Sequence, residues 1–134
     1  MIMDSNAVFS DAQSFTSTAA STNVIDCQVA DANLGSGTPI WLVCRVNTAF
    51  NGSGAITATL QTCATSGGTY LTVVSGRSLS TADSTAGDDV LTIPLPLDHL
   101  RFLRVYYTVT HNSAAAGAVD AYLAANAPSN FLGW

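Results

Sequence analysis

Short runs of alternating apolar and polar residues recur along the chain, separated by clusters of Gly, Asn, Ser and Pro. The run at residues 100–110 is the clearest, because its side chains divide between two faces at a period of two. The predicted inner face carries Leu103, Val105, Tyr107 and Val109. The predicted outer face carries Phe102, Arg104, Tyr106, Thr108 and Thr110. A strand with one face in solvent usually has small polar side chains there, so the large outer residues indicate contact with another surface.

Six further segments have the pattern of β-strands. They are residues 23–29, 40–47, 55–63, 70–74, 90–93 and 118–124. In the first of them, Ile25, Cys27 and Val29 are expected to face inward. Residues 75–89 are rich in Gly and Asp and predict a long surface loop. Short strands at intervals of about ten residues predict an all-β fold, a jelly-roll-like antiparallel β-sandwich.

The two ends of the chain do not share this pattern. Residues 1–21 are small and polar with isolated phenylalanines at Phe9 and Phe15, which predicts an extended N-terminal arm with one or two short edge strands. Residues 126–134 predict an extended C-terminal tail that ends in exposed aromatic side chains. The expected organisation of residues 1–134 is therefore one domain, with its sandwich core at residues 22–125 and an arm at each end.

Charged side chains are few and unusual in kind. The chain has nine aspartates and four arginines but no lysine or glutamate, and its net charge is -5. Four scattered arginines in an acidic chain neutralise few phosphates, so no nucleic-acid partner is expected. No apolar run approaches the roughly 20 residues of a membrane span, and no leader pattern is seen. We therefore expect no membrane partner, and synthesis in the cytoplasm.

Groups able to perform catalysis are scarce. His99 and His111 lie at opposite ends of one predicted strand, too far apart to act together, and no serine lies in a nucleophile elbow. The prediction is that the chain is not an enzyme and has no catalytic residue and no cofactor site. Asp98 and Arg101 are expected to form a local surface ion pair.

No metal site is expected either. Asp83, Asp88 and Asp89 do not have the spacing of a calcium-binding loop, so a solvated acidic loop is favoured over a calcium site. The cysteines do not have metal-ligand spacing. They are Cys27, Cys44 and Cys63, and reduced thiols are favoured over a structural disulfide.

Aromatic and arginine side chains form the remaining candidate surface, since these residue types are enriched at protein interfaces. The predicted interface residues are Phe9, Phe15, Trp41, Arg45, Phe102, Arg104, Tyr106, Phe131, Leu132 and Trp134. One alternative stays open for Phe102, Tyr106 and the C-terminal residues. The chain's own arms then cover these side chains, which become part of an intramolecular core.

Five segments together resemble the capsid cement, or head decoration, proteins of tailed phages, a family known from a Bordetella phage. The segments are residues 9–13, 18–26, 34–37, 59–62 and 101–107. The resemblance implies a jelly-roll-like sandwich without catalysis that binds the outer surface of an assembled head, where major capsid protein subunits meet. It also implies a homo-oligomer, for which a dimer is favoured over a trimer, and a location in the virion.

A carbohydrate-binding module is the alternative function. Residues 101–105 are similar to the corresponding strand of galactose-binding-like jelly rolls, and Trp41 or Trp134 would then stack on a sugar ring. Binding to glycans without affinity for capsids distinguishes this alternative from a cement protein.

Overall fold

The computed structural model describes residues 5–14, 16–30, 34, 37–110 and 117–125. Within these residues, nine β-strands and one turn of 3-10 helix make up the regular structure. The 3-10 turn is Ser5–Ala7. The strands are Val8–Ser14 (β1), Ala19–Ala20 (β2), Ile25–Asp26 (β3), Trp41–Thr48 (β4), Ala55–Cys63 (β5), Leu71–Ser80 (β6), Asp89–Pro94 (β7), Phe102–Thr110 (β8) and Ala118–Ala124 (β9).

The strands form two antiparallel sheets. Sheet I has the order β1-β9-β4-β7, and sheet II has the order β2-β8-β5-β6, with β3 also paired to β8. The pairs are nested along the chain, since β1 pairs with β9, β2 and β3 with β8, β4 with β7, and β5 with β6. An antiparallel ribbon folded over itself, with successive pairs in alternate sheets, is a jelly roll. The predicted fold class is therefore confirmed.

The hydrophobic core lies between the two sheets. Leu42, Cys44 and Val46 of β4 belong to the same buried cluster as the inner residues of β8, and Leu103, Val105 and Tyr107 are fully buried. Full burial of one large apolar side chain contributes about 1.5–3 kcal/mol. The core therefore buries the inner face of β8 and leaves its outer face for other contacts.

Strand β8 occupies an interior position of sheet II. It pairs along its whole length with β5, and the short strands β2 and β3 pair with its other side. Gln61 lies directly opposite Arg104 in this register, and Thr59 lies opposite Tyr106. Side chains directly opposite each other share a face, so β5 supplies the outer neighbours of Arg104 and Tyr106.

Strand β6 is longer than the sequence pattern indicates. The predicted strand at residues 70–74 continues to Ser80, so the first part of the predicted loop at 75–89 is wrong. Two register irregularities in the β5–β6 ladder interrupt the period-two pattern, which hides the strand from a sequence search. Gly76 is needed there, because a Cβ at this position would lie 3.0 Å from the carbonyl oxygen of Val90 and 3.1 Å from that of Ala58.

The strand expected at residues 23–29 is reduced to two residues, Ile25–Asp26. The Asp26 carboxylate accepts a hydrogen bond of 2.8 Å from the Gln28 backbone N–H, and Gln28 has a φ of 72°. This local turn takes the chain away from β8. Val29 is consequently 59% exposed, and its predicted inward orientation is wrong.

Candidate interaction surface

The outer face of sheet II presents the large side chains that stand out in the sequence of β8. Phe102, Arg104 and Tyr106 alternate with the buried core residues and are each half-buried. The two faces predicted for this strand are confirmed by the burial of Leu103 and Val105. The structure thus brings three of the candidate interface residues together on one strand.

Arg104 is held between two tyrosine rings. Its Cζ lies 3.8 Å from the ring centroid of Tyr70, which immediately precedes β6, and 5.2 Å from that of Tyr106. Its Nε donates a hydrogen bond of 2.8 Å to Oε1 of Gln61. Cation–π contacts of this kind contribute about 0.5–1 kcal/mol at exposed sites. We call Tyr70, Phe102, Arg104 and Tyr106 the outer row.

Tyr70 and Gln61 are members of this site that sequence reasoning did not select. The β5–β8 register places Gln61 beside Arg104, and Tyr70 reaches Arg104 from the end of the loop that connects β5 and β6. Burial raises the pKa of the Tyr70 hydroxyl, and the Arg104 charge opposes part of that rise. Tyr70 is the first residue of the strand predicted at 70–74, and the sequence pattern of that strand does not reveal its contact with Arg104.

An ion pair borders the outer row at the start of β8. Arg101 donates from Nε to Oδ1 of Asp26 at 2.7 Å and from Nη2 to Oδ2 at 2.8 Å, and its Cζ lies 5.0 Å from the Phe102 ring centroid. These hydrogen bonds lower the pKa of Asp26 to about 2. The expectation that Asp98 pairs with Arg101 is therefore wrong, because β3 brings Asp26 to the end of β8.

The remaining neighbours of the outer row are neutral and polar. Thr59 lies opposite Tyr106, and its Oγ1 is 3.1 Å from Oγ of Ser75 on β6. Within the described part of the chain, Arg104 forms no ion pair. The face is therefore a set of aromatic rings around one cation, surrounded by hydroxyl and amide groups.

Phe9 does not belong to the surface, contrary to its prediction as an interface residue. Its side chain is fully buried in the core between the sheets. Pairing of β1 with β9 makes this part of the predicted arm the edge strand of sheet I, and that pairing places the Phe9 ring inside. Phe15, Phe131, Leu132 and Trp134 lie outside the described residues.

Trp41 and Arg45 lie on the opposite side of the sandwich, on the outer face of sheet I. Trp41 packs against a small cluster that contains Val43 and Tyr122, and Val43 is fully buried. Arg45 is half-buried and lies across from Asp120 of β9. These two residues therefore do not join the outer row, and much of the Trp41 surface is used within the chain.

His99 and the three cysteines are among the described residues considered above for catalysis or metal binding. His99 is 1% exposed, and its Nδ1 donates to the Leu100 carbonyl oxygen at 2.9 Å. Cys27, Cys44 and Cys63 are free thiols, and burial raises the pKa of Cys44 to about 12. No group of three His, Cys, Asp or Glu side chains able to hold a metal occurs within the described residues, and His111 lies outside them.

Two grooves adjoin β3, away from the outer row. The larger, of about 770 Å³, is polar and its lining includes Asn6, Asn23 and Asp26. The smaller, of about 400 Å³, is mainly apolar and its lining includes Ile25, Ile40 and Leu123. Asp26 borders both grooves and Cys27 borders the smaller one. The Asp26 carboxylate is hydrogen-bonded to Arg101, and burial raises the pKa of the Cys27 thiol.

Comparison with known proteins identifies one family. The model of the family described as Bbp16 matches residues 9–123, which extend from β1 into β9 and include the whole outer row. The family name suggests a Bordetella phage protein, which agrees with the resemblance of the sequence. No curated protein matches the chain. Within the described residues, no helix is long and apolar enough to cross a membrane.

Proposed function

Because the chain belongs to the Bbp16 family, we propose that it is a structural protein of a phage virion, a cement or decoration protein of the head. It binds the outer surface of the assembled head and stabilises contacts between major capsid protein subunits. The partners in this proposal are the major capsid protein and further copies of the chain, with a dimer favoured over a trimer.

The outer row is the observation that supports this proposal most strongly. Tyr70, Arg104 and Tyr106 are residue types that dominate the binding energy of protein interfaces, and here they are stacked on one another. Their strand is fixed from behind by the core residues Leu103 and Val105. Side chains that are already ordered lose less conformational entropy on binding, so a rigid row is suited to docking on a preformed shell.

A cement protein needs only modest affinity at each site. A standard protein interface buries about 1,600 Å² in total, and a net gain of a few kcal/mol per copy is repeated over every occupied position of the shell. Copies that also contact one another gain further through effective concentration. The jelly roll thus contributes binding area and stability to the head without a catalytic role.

Binding to purified heads tests the proposal. Heads of the encoding phage, prepared without this protein, are incubated with the purified chain and sedimented, and the bound copies are counted from the stained protein bands. The proposal predicts saturable binding and greater resistance of the loaded heads to heat. Saturable binding to a glycan array with no binding to heads would contradict it and favour a carbohydrate-binding module.

A further inference from the structure

We infer that the outer row recognises a carboxylate side chain on the capsid surface through the terminal nitrogens of Arg104. This inference rests on the proposed function and adds the chemistry of the partner. It follows from the contacts that Arg104 makes within the chain and from the N–H donors that these contacts do not use.

The guanidinium of Arg104 is covered on three sides. Tyr70 stacks at 3.8 Å from Cζ, Tyr106 lies at 5.2 Å, and Gln61 accepts the hydrogen bond from Nε. No other hydrogen bond of Arg104 occurs among the described residues. The edge formed by Nη1 and Nη2 is the part left for a ligand, and its parallel N–H donors match the two oxygens of a carboxylate.

The other arginines of the chain are used differently. Arg101 forms its two hydrogen bonds with the Asp26 carboxylate, and Arg77 donates from Nη2 to the Asp89 carbonyl oxygen at 2.8 Å. Arg45 lies across from Asp120 on the far sheet. The described contacts of Arg104 are two aromatic rings and a neutral amide oxygen, so they orient the guanidinium without neutralising its charge.

Charge complementarity favours an acidic partner over a basic one. The whole chain has a net charge of -5, which by itself would favour a basic surface. Around Arg104, however, the neighbours Thr59, Gln61 and Ser75 are neutral, and Asp26 is already paired. A carboxylate that docks there exchanges hydration for a preoriented charged hydrogen bond, whereas a lysine or arginine meets an uncompensated like charge.

Head binding by charge-matched variants tests this inference. R104Q removes the cation and keeps a polar side chain, and R104K keeps the charge but removes the planar fork. R77Q is the matched control, since it makes the same change in net charge on β6 of the same sheet. Each variant is titrated onto heads that lack the protein, and onto heads whose surface carboxylates have been amidated with a carbodiimide and whose integrity has been checked by electron microscopy.

The expected result is a loss of affinity of about tenfold or more for R104Q and R104K, with less than a twofold change for R77Q. Amidation of the heads should weaken wild-type binding by a similar factor and leave R104Q binding unchanged. Wild-type affinity of R104Q, with an unchanged melting temperature, would overturn the inference and leave the cement function intact. Equal weakening of wild type and R104Q by amidation would also overturn it, because the carboxylates would then act elsewhere. Failure of the wild-type chain to bind untreated heads contradicts the proposed function itself.

Discussion

The hydroxyl groups of Tyr107 and Ser10 form a hydrogen bond of 2.7 Å in the buried space between the two sheets. Tyr107 belongs to β8 of sheet II and Ser10 to β1 of sheet I, so this bond joins the sheets through the interior. Ser10 donates in turn to Oε1 of Gln13, which also accepts from the Thr22 backbone N–H. The first strand of the jelly roll is thereby attached to the strand that carries the outer row.

Replacing Tyr107 with phenylalanine should therefore destabilise the fold. The Y107F variant removes the hydroxyl that forms hydrogen bonds with the buried side chains of Ser10 and Cys44. We expect the free energy of unfolding to fall by about 1–2 kcal/mol. Chemical denaturation followed by circular dichroism measures it. Y106F is the matched control, because its ring lies on the outer face, and a change below about 0.5 kcal/mol is expected. Equal effects of the two substitutions would show that the buried bond is not stabilising.

Gly117 should tolerate no side chain. Its φ is 151°, and a Cβ there would overlap the ring of Phe50, which is itself buried. We expect G117A to lower the free energy of unfolding by about 3 kcal/mol or more. In G87A the backbone also has a positive φ, of 94°, but the added Cβ meets nothing within 4 Å. This control should cost about 1 kcal/mol, so similar melting temperatures for the two variants would contradict the close packing at Gly117.

The Asp26–Arg101 pair predicts a dependence of stability on acid pH. The pKa of Asp26 is lowered from 3.8 to about 2 in the folded chain. The contribution of this carboxylate to folding stability is therefore fully present above the unfolded value and is lost as the pH falls through about 2. In R101A the pKa of Asp26 should rise towards 3.8, as measured by NMR titration of the carboxyl carbon. D98N should leave it unchanged. A shift of the Asp26 pKa in D98N would indicate that Asp98 interacts with Arg101, as the sequence predicts.

Tyr70 should contribute to head binding through the orientation of Arg104. Y70L removes the ring that lies closest to the guanidinium and should weaken binding to heads about three- to tenfold. The fold should be affected little, because Tyr70 lies outside the main core cluster. L97A is the control, since Leu97 is 49% exposed and lies outside the outer row. Undiminished binding by Y70L would show that the stack does not contribute to recognition.

Local patterns predicted the strands that carry most of the fold. The strands Ala55–Cys63 and Ala118–Ala124 match the predicted segments, because each alternates regularly and ends at turn residues. The alternation indicates only the first half of strand β6, because its bulges break the pattern. Phe9 was misassigned because an isolated phenylalanine has no period, and its burial depends on pairing with a strand more than 100 residues later.

The candidate site was predicted only in part for a similar reason. Phe102, Arg104 and Tyr106 share a face by alternation alone, which the sequence reveals. The partners of Arg104 and Arg101 are distant in the chain, with Gln61 43 residues away from Arg104 and Asp26 75 residues away from Arg101. Such contacts depend on the strand register, and a single sequence does not specify register between distant strands.

The most direct test is an electron cryo-microscopy map of the phage head after the purified chain has been added back. We expect jelly-roll density on the outside of the shell, with the outer row of sheet II against major capsid protein and an acidic side chain within hydrogen-bonding distance of Arg104. A head without this density, or a bound copy that contacts the shell through sheet I and leaves Arg104 in solvent, would contradict this expectation.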